Sequence, residues 1–233
     1  MSCRFALFAL FLFGCIARGA PAEQKAVDDG TISIMDLRDP SSPNHPALGS
    51  QVVVRGGIIT DVKMTGNARG FFMQDPHAKT FAAVYVLEGD DDVSDFEPGD
   101  EITKLMGTYS QYLGMDVIDN RLGGYESEGG HVVPEPIDVT VGDLEPGGDD
   151  ALESMLVRVT EVVATSDTVH GDFTIGEDRS AAHVDVTSYM ANDIGPSPFP
   201  AVAGQRFAYI IGHPFVDDVA HLAPMSADDV QLE

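Results

Sequence analysis

Thiols are almost missing from this chain. Its two cysteines, Cys3 and Cys15, both fall within the first fifteen residues, so the part that folds carries none. That excludes disulfides, thiolate zinc sites and cysteine nucleophiles. Positive charge is nearly as scarce: 13 lysines and arginines stand against 38 aspartates and glutamates, a formal net charge of −25, and only four of the basic residues are lysines. So acidic a protein repels polyanions over most of its surface. The acids are scattered, with Asp90-Asp91-Asp92 the longest run. A strongly hydrated surface suited to a saline setting is their ordinary use, and cation binding the sharper alternative. After residue 16 no apolar run approaches bilayer-spanning length, and no window shows a long apolar pattern at helical spacing. Catalytic signatures are missing too: there is no G-x-S-x-G, H-E-x-x-H, phosphate-binding P-loop or G-x-G-x-x-G. The seven histidines (45, 77, 131, 170, 183, 213, 221) are dispersed without a recognisable nucleophile partner. These absences point away from an enzyme and away from a cofactor.

What is present begins with an export signal at 1–22. Arg4 precedes the apolar run Phe5 to Phe13, whose length suits a signal peptide and is too short to span a bilayer. Two cleavage sites fit. Leu12-Phe13-Gly14-Cys15 resembles the lipobox of bacterial lipoproteins, with Phe13 an unusual occupant of its middle position; Ala20-Pro21-Ala22 is a small-x-small site for ordinary signal peptidase. The lipobox is favoured, which makes Cys15 the lipidated residue and the membrane a partner through the lipid. Ile16 stands where an Asp is associated with inner-membrane retention in enteric bacteria, so the resemblance implies the outer membrane; ordinary cleavage implies a secreted or periplasmic protein. Removing residues 1–22 leaves eleven basic against 38 acidic residues, a net charge of −27. Residues 23–30 then read as a polar tether.

The mature chain repeats itself. Val84 and Val184, Phe71 and Phe173, Gly99 and Gly204, and Gly107 and Gly212 occupy matching places 100 to 105 positions apart. Two copies are too few for a solenoid, so two domains are expected, at 31–133 and 134–233. The Gly129-Gly130 to Pro134-Glu135-Pro136 stretch joins them, and its prolines stiffen the joint. Valine- and isoleucine-rich runs bounded by Gly, Pro and Asp predict strands near 51–62, 70–75, 81–87, 101–109 and 114–119, and again near 154–165, 171–176, 182–187, 205–212 and 217–222. Thr31 to Leu37 reads as a short strand or a turn of helix, and short helices are expected at Val93 to Phe96 and Ser188 to Ile194. The expected fold is therefore all-β, two tandem five-stranded OB-fold-like Greek-key barrels.

The run G-x-x-V-x-V-x-G from Gly49, the Gly70-Phe71-Phe72-Met73-Gln74-Asp75 segment, Pro98-Gly99-Asp100 and Gly107-Thr108-Tyr109 together resemble the OB-fold module found in front of bacterial secreted nuclease and phosphatase-type catalytic domains. Leu152-Glu153-Ser154-Met155-Leu156-Val157-Arg158-Val159 resembles the module that follows it. The likeness spans nearly all the mature chain and implies a non-catalytic N-terminal region, because the sequence reaches Glu233 before any catalytic domain of that kind begins.

Alternation sorts the faces of each strand. In the first domain Val52, Val54, Phe71, Met73, Ala82, Val84 and Val86 form the core set. The opposite face carries Phe72, Gln74, Phe81 and Tyr85, on the strands where OB-folds bind oligonucleotides and oligosaccharides. Arg55, Lys63, Arg69 and Lys79 make the one locally positive stretch, completing the ligand-binding candidates. A competing use ranks first for the aromatics: packing of Phe72 and Phe81 beneath a loop or against the second domain. The second copy has Thr174, Ala181 and Asp185 in place of the aromatics. His183 with Asp185, and the Asp90-Asp91-Asp92 run with Asp95, offer metal ligands but lack a third zinc ligand and a calcium-loop pattern, so no metal is expected. The function expected is an exported, lipid-anchored binding protein whose first domain takes single-stranded nucleic acid or a glycan. The rivals are a structural lipoprotein that meets a protein partner at the cell envelope, and an accessory module of a secreted nuclease system.

Overall fold

Val52 and Val54 point inward from the same face of a thirteen-residue strand, β2 (Gln51–Lys63), while Gln51 and Arg55 point out. This strand organises the first half of the protein. Its early residues pair antiparallel with β5 (Glu101–Tyr112), from Gln51 opposite Thr108 to Ile58 opposite Glu101. Its later residues pair with β3 (Arg69–Gln74), from Ile58 opposite Gln74 to Lys63 opposite Gly70. Gly56 and Gly57 sit where the strand changes partner. A Cβ on Gly56 would lie 2.2 Å from the Ile102 carbonyl oxygen, so the close approach of β2 to β5 requires glycine there.

The computed structural model describes residues 30–89, 92–145, 150–176, 184–192 and 199–233. The signal segment with Cys15, most of the tether, Asp90, Asp91, Ala181 and His183 lie outside the described residues. The fold is nearly all-β. β3 pairs with β4 (Ala83–Gly89), β4 runs parallel to β6 (Met115–Glu128), and β6 pairs with β5, which returns to β2. The β5–β6 turn has two residues, Leu113 (φ 51°) and Gly114 (φ 78°), both left-handed as a tight hairpin turn of this twist demands. Before β2, the short β1 (Ile32–Ser33) lies parallel on Val54 and Arg55, and α1 (Ile34–Arg38) buries Ile34 and Leu37 in the same core. Ser33 and Asp36 cap α1 reciprocally, with the Asp36 amide donating to Ser33 Oγ at 2.9 Å.

The second half contains β7 (Ile137–Asp138), β8 (Val157–Ala164), β9 (Phe173–Gly176), β10 (Val184–Val186), β11 (Arg206–Val216), β12 (Ala220–Ala223) and β13 (Val230–Leu232). Strands β8, β9, β10, β12 and β11 pair in that order, and β11 closes back on β8 to form a five-stranded barrel. β7 extends it beside β8 and β13 beside β11. The order matches that of β2, β3, β4, β6 and β5, including the single parallel pair, β4 with β6 and β10 with β12. Val159, Val162, Phe173, Ile175, Val186, Phe207, Ile210 and Leu222 fill the barrel.

All ten strands expected from the sequence are present, with instructive differences at their ends. β6 continues nine residues past Asp119 as a ribbon on β5. β8 starts at Val157 because Ser154 adopts a left-handed backbone (φ 65°), and β4 starts only after Phe81 (φ 52°) for the same reason. Ala82 consequently joins the apolar cluster of the second half rather than that of the first. Val93 to Phe96 forms a turn and no helix; Ser188 to Ala191 does likewise, closed by the Ala191 amide on the Ser188 carbonyl. β1, β7 and β13 are two or three residues long, too short for alternation to reveal.

Candidate functional site

Phe72 and Tyr85 face each other across β3 and β4, on the side away from Phe71, Met73, Val84 and Val86. Both are 0% exposed. Met190, Phe215, Ala223 and Met225 of the second half cover them, together with Met115 and Val117 of β6. The rings of Phe72 and Tyr85 lie 4.7 Å apart at 55°. On its other side Phe72 stacks on His213 of β11, with centroids 3.7 Å apart and planes 1° from parallel. The aromatic face read from the sequence therefore exists, and it is the seat of the second barrel. Burying each such side chain contributes about 1.5–3 kcal/mol.

Polar groups on this face are matched across the junction. Gln74 Oε1 accepts the Leu156 amide at 2.9 Å, and the Phe81 amide donates to the Ala151 carbonyl at 2.7 Å. Asn192 donates through Nδ2 to the Val62 carbonyl at 2.8 Å and accepts the Met64 amide at 2.7 Å. Tyr85 donates its hydroxyl to the Ala68 carbonyl at 2.6 Å; burial, reinforced by the neighbouring Tyr112 and Tyr189, holds that hydroxyl well above its ordinary pKa. Lys63 is buried, donates to the Thr65 carbonyl and lies 5.6 Å from the Tyr189 ring centre; burial lowers its pKa.

The remaining candidates are dispersed. Arg55 is exposed, bonds Thr31 and lines a separate groove of about 510 Å³ with His77, Glu101 and His131. Lys79 is exposed in the β3–β4 connection, and Arg69 is half-buried at the start of β3. Phe81 is half-buried in a pocket at the junction. Five of the eight candidates, Lys63, Phe72, Gln74, Phe81 and Tyr85, thus lie at the junction, and the basic group does not assemble around the aromatics.

Sequence reasoning missed the polar half of the junction. Arg38, at the end of α1, is almost fully buried and reaches Asp116 of β6 at 2.5 Å and Glu153 at 2.9 Å. Glu153 Oε1 also accepts the Asp116 amide at 2.9 Å. Burial pushes the Glu153 carboxyl up to about 7, against the opposing pull of Arg38. Burial and a hydrogen bond to Asp116 raise the Tyr109 hydroxyl as well. Together with His45 and Phe81 these groups line a pocket of about 420 Å³. No sequence signal marks this cluster, because Arg38, Asp116 and Glu153 are spread over 115 positions and only docking joins them.

His213 is fully buried between two acceptors, the Ser154 carbonyl 2.9 Å from Nδ1 and Asp61 Oδ2 2.8 Å from Nε2. A serine, a histidine and an aspartate thus converge, yet the contact to Ser154 is through its carbonyl, and its Oγ is buried without a partner. This geometry does not activate a nucleophile. Among the described residues no group of three His, Asp or Glu side chains is set to hold a metal ion. Asp185 does face His221 across β10 and β12, and burial raises its carboxyl. No protein-family model matches the chain, and no curated protein matches it. Geometry must carry the functional reading.

Proposed function

We propose that this protein is an exported, non-catalytic scaffold of two OB-fold barrels, in which the face that such barrels use for ligands is given over to binding one barrel to the other. The complete cover over Phe72 and Tyr85 is the observation that carries this reading. The order of five strands shared by both halves, with one parallel pair among the five in each, supports the OB assignment. The scaffold presents its outer, acidic surface to a protein partner at the cell envelope. The signal-like residues 1–22 support export, and Cys15 is the proposed lipid anchor, with the outer membrane as destination.

The test is a binding screen of the mature protein against short single-stranded DNA and a glycan panel, at low and moderate salt. No binding to either is expected at neutral pH. Binding that is lost in a Phe72→Ala plus Tyr85→Ala variant would return the first barrel to the role of ligand-binding module.

A further inference from the structure

The folded part of this chain has no cysteine and no tryptophan, which leaves tyrosine and methionine as its readily oxidised side chains. Two of the six tyrosines meet. The hydroxyls of Tyr112, at the end of β5, and Tyr189, in the turn Ser188 to Ala191, lie 2.5 Å apart, although the residues are 77 positions apart in the chain. Tyr112 is half-buried and Tyr189 is 48% exposed, so a one-electron oxidant can reach the pair. The turn is held in place by the Ala191 amide on the Ser188 carbonyl at 3.0 Å and the Tyr189 amide on Thr187 Oγ1 at 3.2 Å. Met190 of the same turn covers Phe72 and Tyr85. We infer that Tyr112 and Tyr189 form a cross-linking site, at which one-electron oxidation joins the two rings as dityrosine and ties the first half of the protein covalently to the second.

The oxidant is of the haem peroxidase class, with hydrogen peroxide as the electron acceptor. Each ring gives up one electron, and its hydroxyl proton passes to water. The two phenoxyl radicals combine through the ring carbons next to the hydroxyls. Each joined carbon then sheds its hydrogen as a proton, and each oxygen takes a proton back. In sum two C–H bonds break, one C–C bond forms, and one hydrogen peroxide becomes two waters. The product keeps its two hydroxyls side by side across the new bond, close to the relation that the hydrogen bond already imposes. Burial, then the bond to Tyr189, pushes the Tyr112 hydroxyl up to about 12, so at neutral pH its proton leaves together with the electron. Among the described residues no second pair of tyrosine hydroxyls is in contact. Tyr85 is fully buried and donates to the Ala68 carbonyl, Tyr109 is buried against Asp116, and Tyr125 packs on Phe96. A bond closing so long a loop gives a thiol-free protein the constraint on its unfolded chain that others draw from a disulfide. The cross-link goes beyond the scaffold reading and does not depend on it, because the packing of the two halves alone sets the pair.

Treatment of the dilute protein with a haem peroxidase and hydrogen peroxide tests it. A single-chain product should form, with dityrosine fluorescence. After proteolysis it should yield one linked peptide pair, joining Tyr112 to Tyr189 and lighter than its two parts by two hydrogen atoms. Methionine oxidation adds oxygen instead and is told apart by mass. The closed loop should make the product run ahead of the untreated chain on a denaturing gel and raise its unfolding midpoint in urea. Tyr112→Phe and Tyr189→Phe should each lose the intrachain product, while Tyr125→Phe should keep it. The wild-type peptide map decides without any variant. Dityrosine formed only between chains, an intrachain link through another tyrosine, no link at all, or a yield unchanged in Tyr189→Phe would each overturn the site.

Discussion

Phe72 of β3 and His213 of β11 lie ring on ring, 3.7 Å apart and 1° from parallel, with neither exposed to solvent. Each half by itself would leave one of these rings at its surface. The pair therefore ties the packing of the two halves to the burial of the aromatic face of β3 and β4, and the same relation governs how the protein should respond to change.

Removing the Phe72 ring leaves a cavity between two elements that cannot collapse independently. Phe72→Ala should lower stability by about 3–5 kcal/mol, read from urea unfolding followed by circular dichroism. The apolar core of the first half, built on Phe71, Met73 and Val84, keeps its packing. A loss below about 1 kcal/mol would mean that the ring is not part of a cooperative interface.

The β5–β6 turn offers two substitutions of opposite sign. Gly114 is left-handed at φ 78°, and a Cβ there would stand 2.0 Å from the Val216 carbonyl oxygen of the second barrel. Gly114→Ala should therefore destabilise by more than about 1 kcal/mol, through backbone strain and through the seam. Leu113 shares the left-handed conformation, which asparagine tolerates better, and Leu113→Asn should raise the unfolding midpoint slightly. Thermal unfolding of both variants checks the pair of signs.

Glu153 makes stability depend on pH in a defined direction. Its carboxyl is lifted from 4.5 to about 7, mainly by burial, so the folded protein holds a proton that the unfolded chain releases. Its contribution is full below pH 4.5 and is lost as pH rises through about 7. At about 1.4 kcal/mol per unit the loss is on the order of 3 kcal/mol. Glu153→Gln, which can still accept the Asp116 amide and Arg38, should flatten this part of the pH profile of urea unfolding. A profile with the same slope in both proteins would remove Glu153 as its source.

The proposed lipid anchor is Cys15. Cys15→Ser cannot take a thioether-linked lipid, and one signal fewer should release the protein from membranes. Fractionation of expressing cells should then move it from the membrane to the soluble envelope fraction; equal membrane recovery of variant and wild type would favour cleavage after Ala22.

Alternation in the chain was enough to locate ten strands and to separate Phe71 and Met73 from Phe72 and Gln74, because the direction of a side chain along a strand is a local property of the backbone. The repeat of glycines and valines a hundred positions apart was enough to predict two similar halves. Local pattern could not say what covers the outward face, since the same aromatic pair serves a solvent-open platform or a packed seam. That outcome depended on Met190, Phe215 and Met225, more than a hundred positions from Phe72, arriving with complementary shape. The buried ions and the His213–Asp61 pair were less legible still. A charged residue at a strand end reads as solvated until tertiary structure removes the water, and only the packing of the two halves brought Arg38 to Glu153 and Asp61 to His213 at bonding distance.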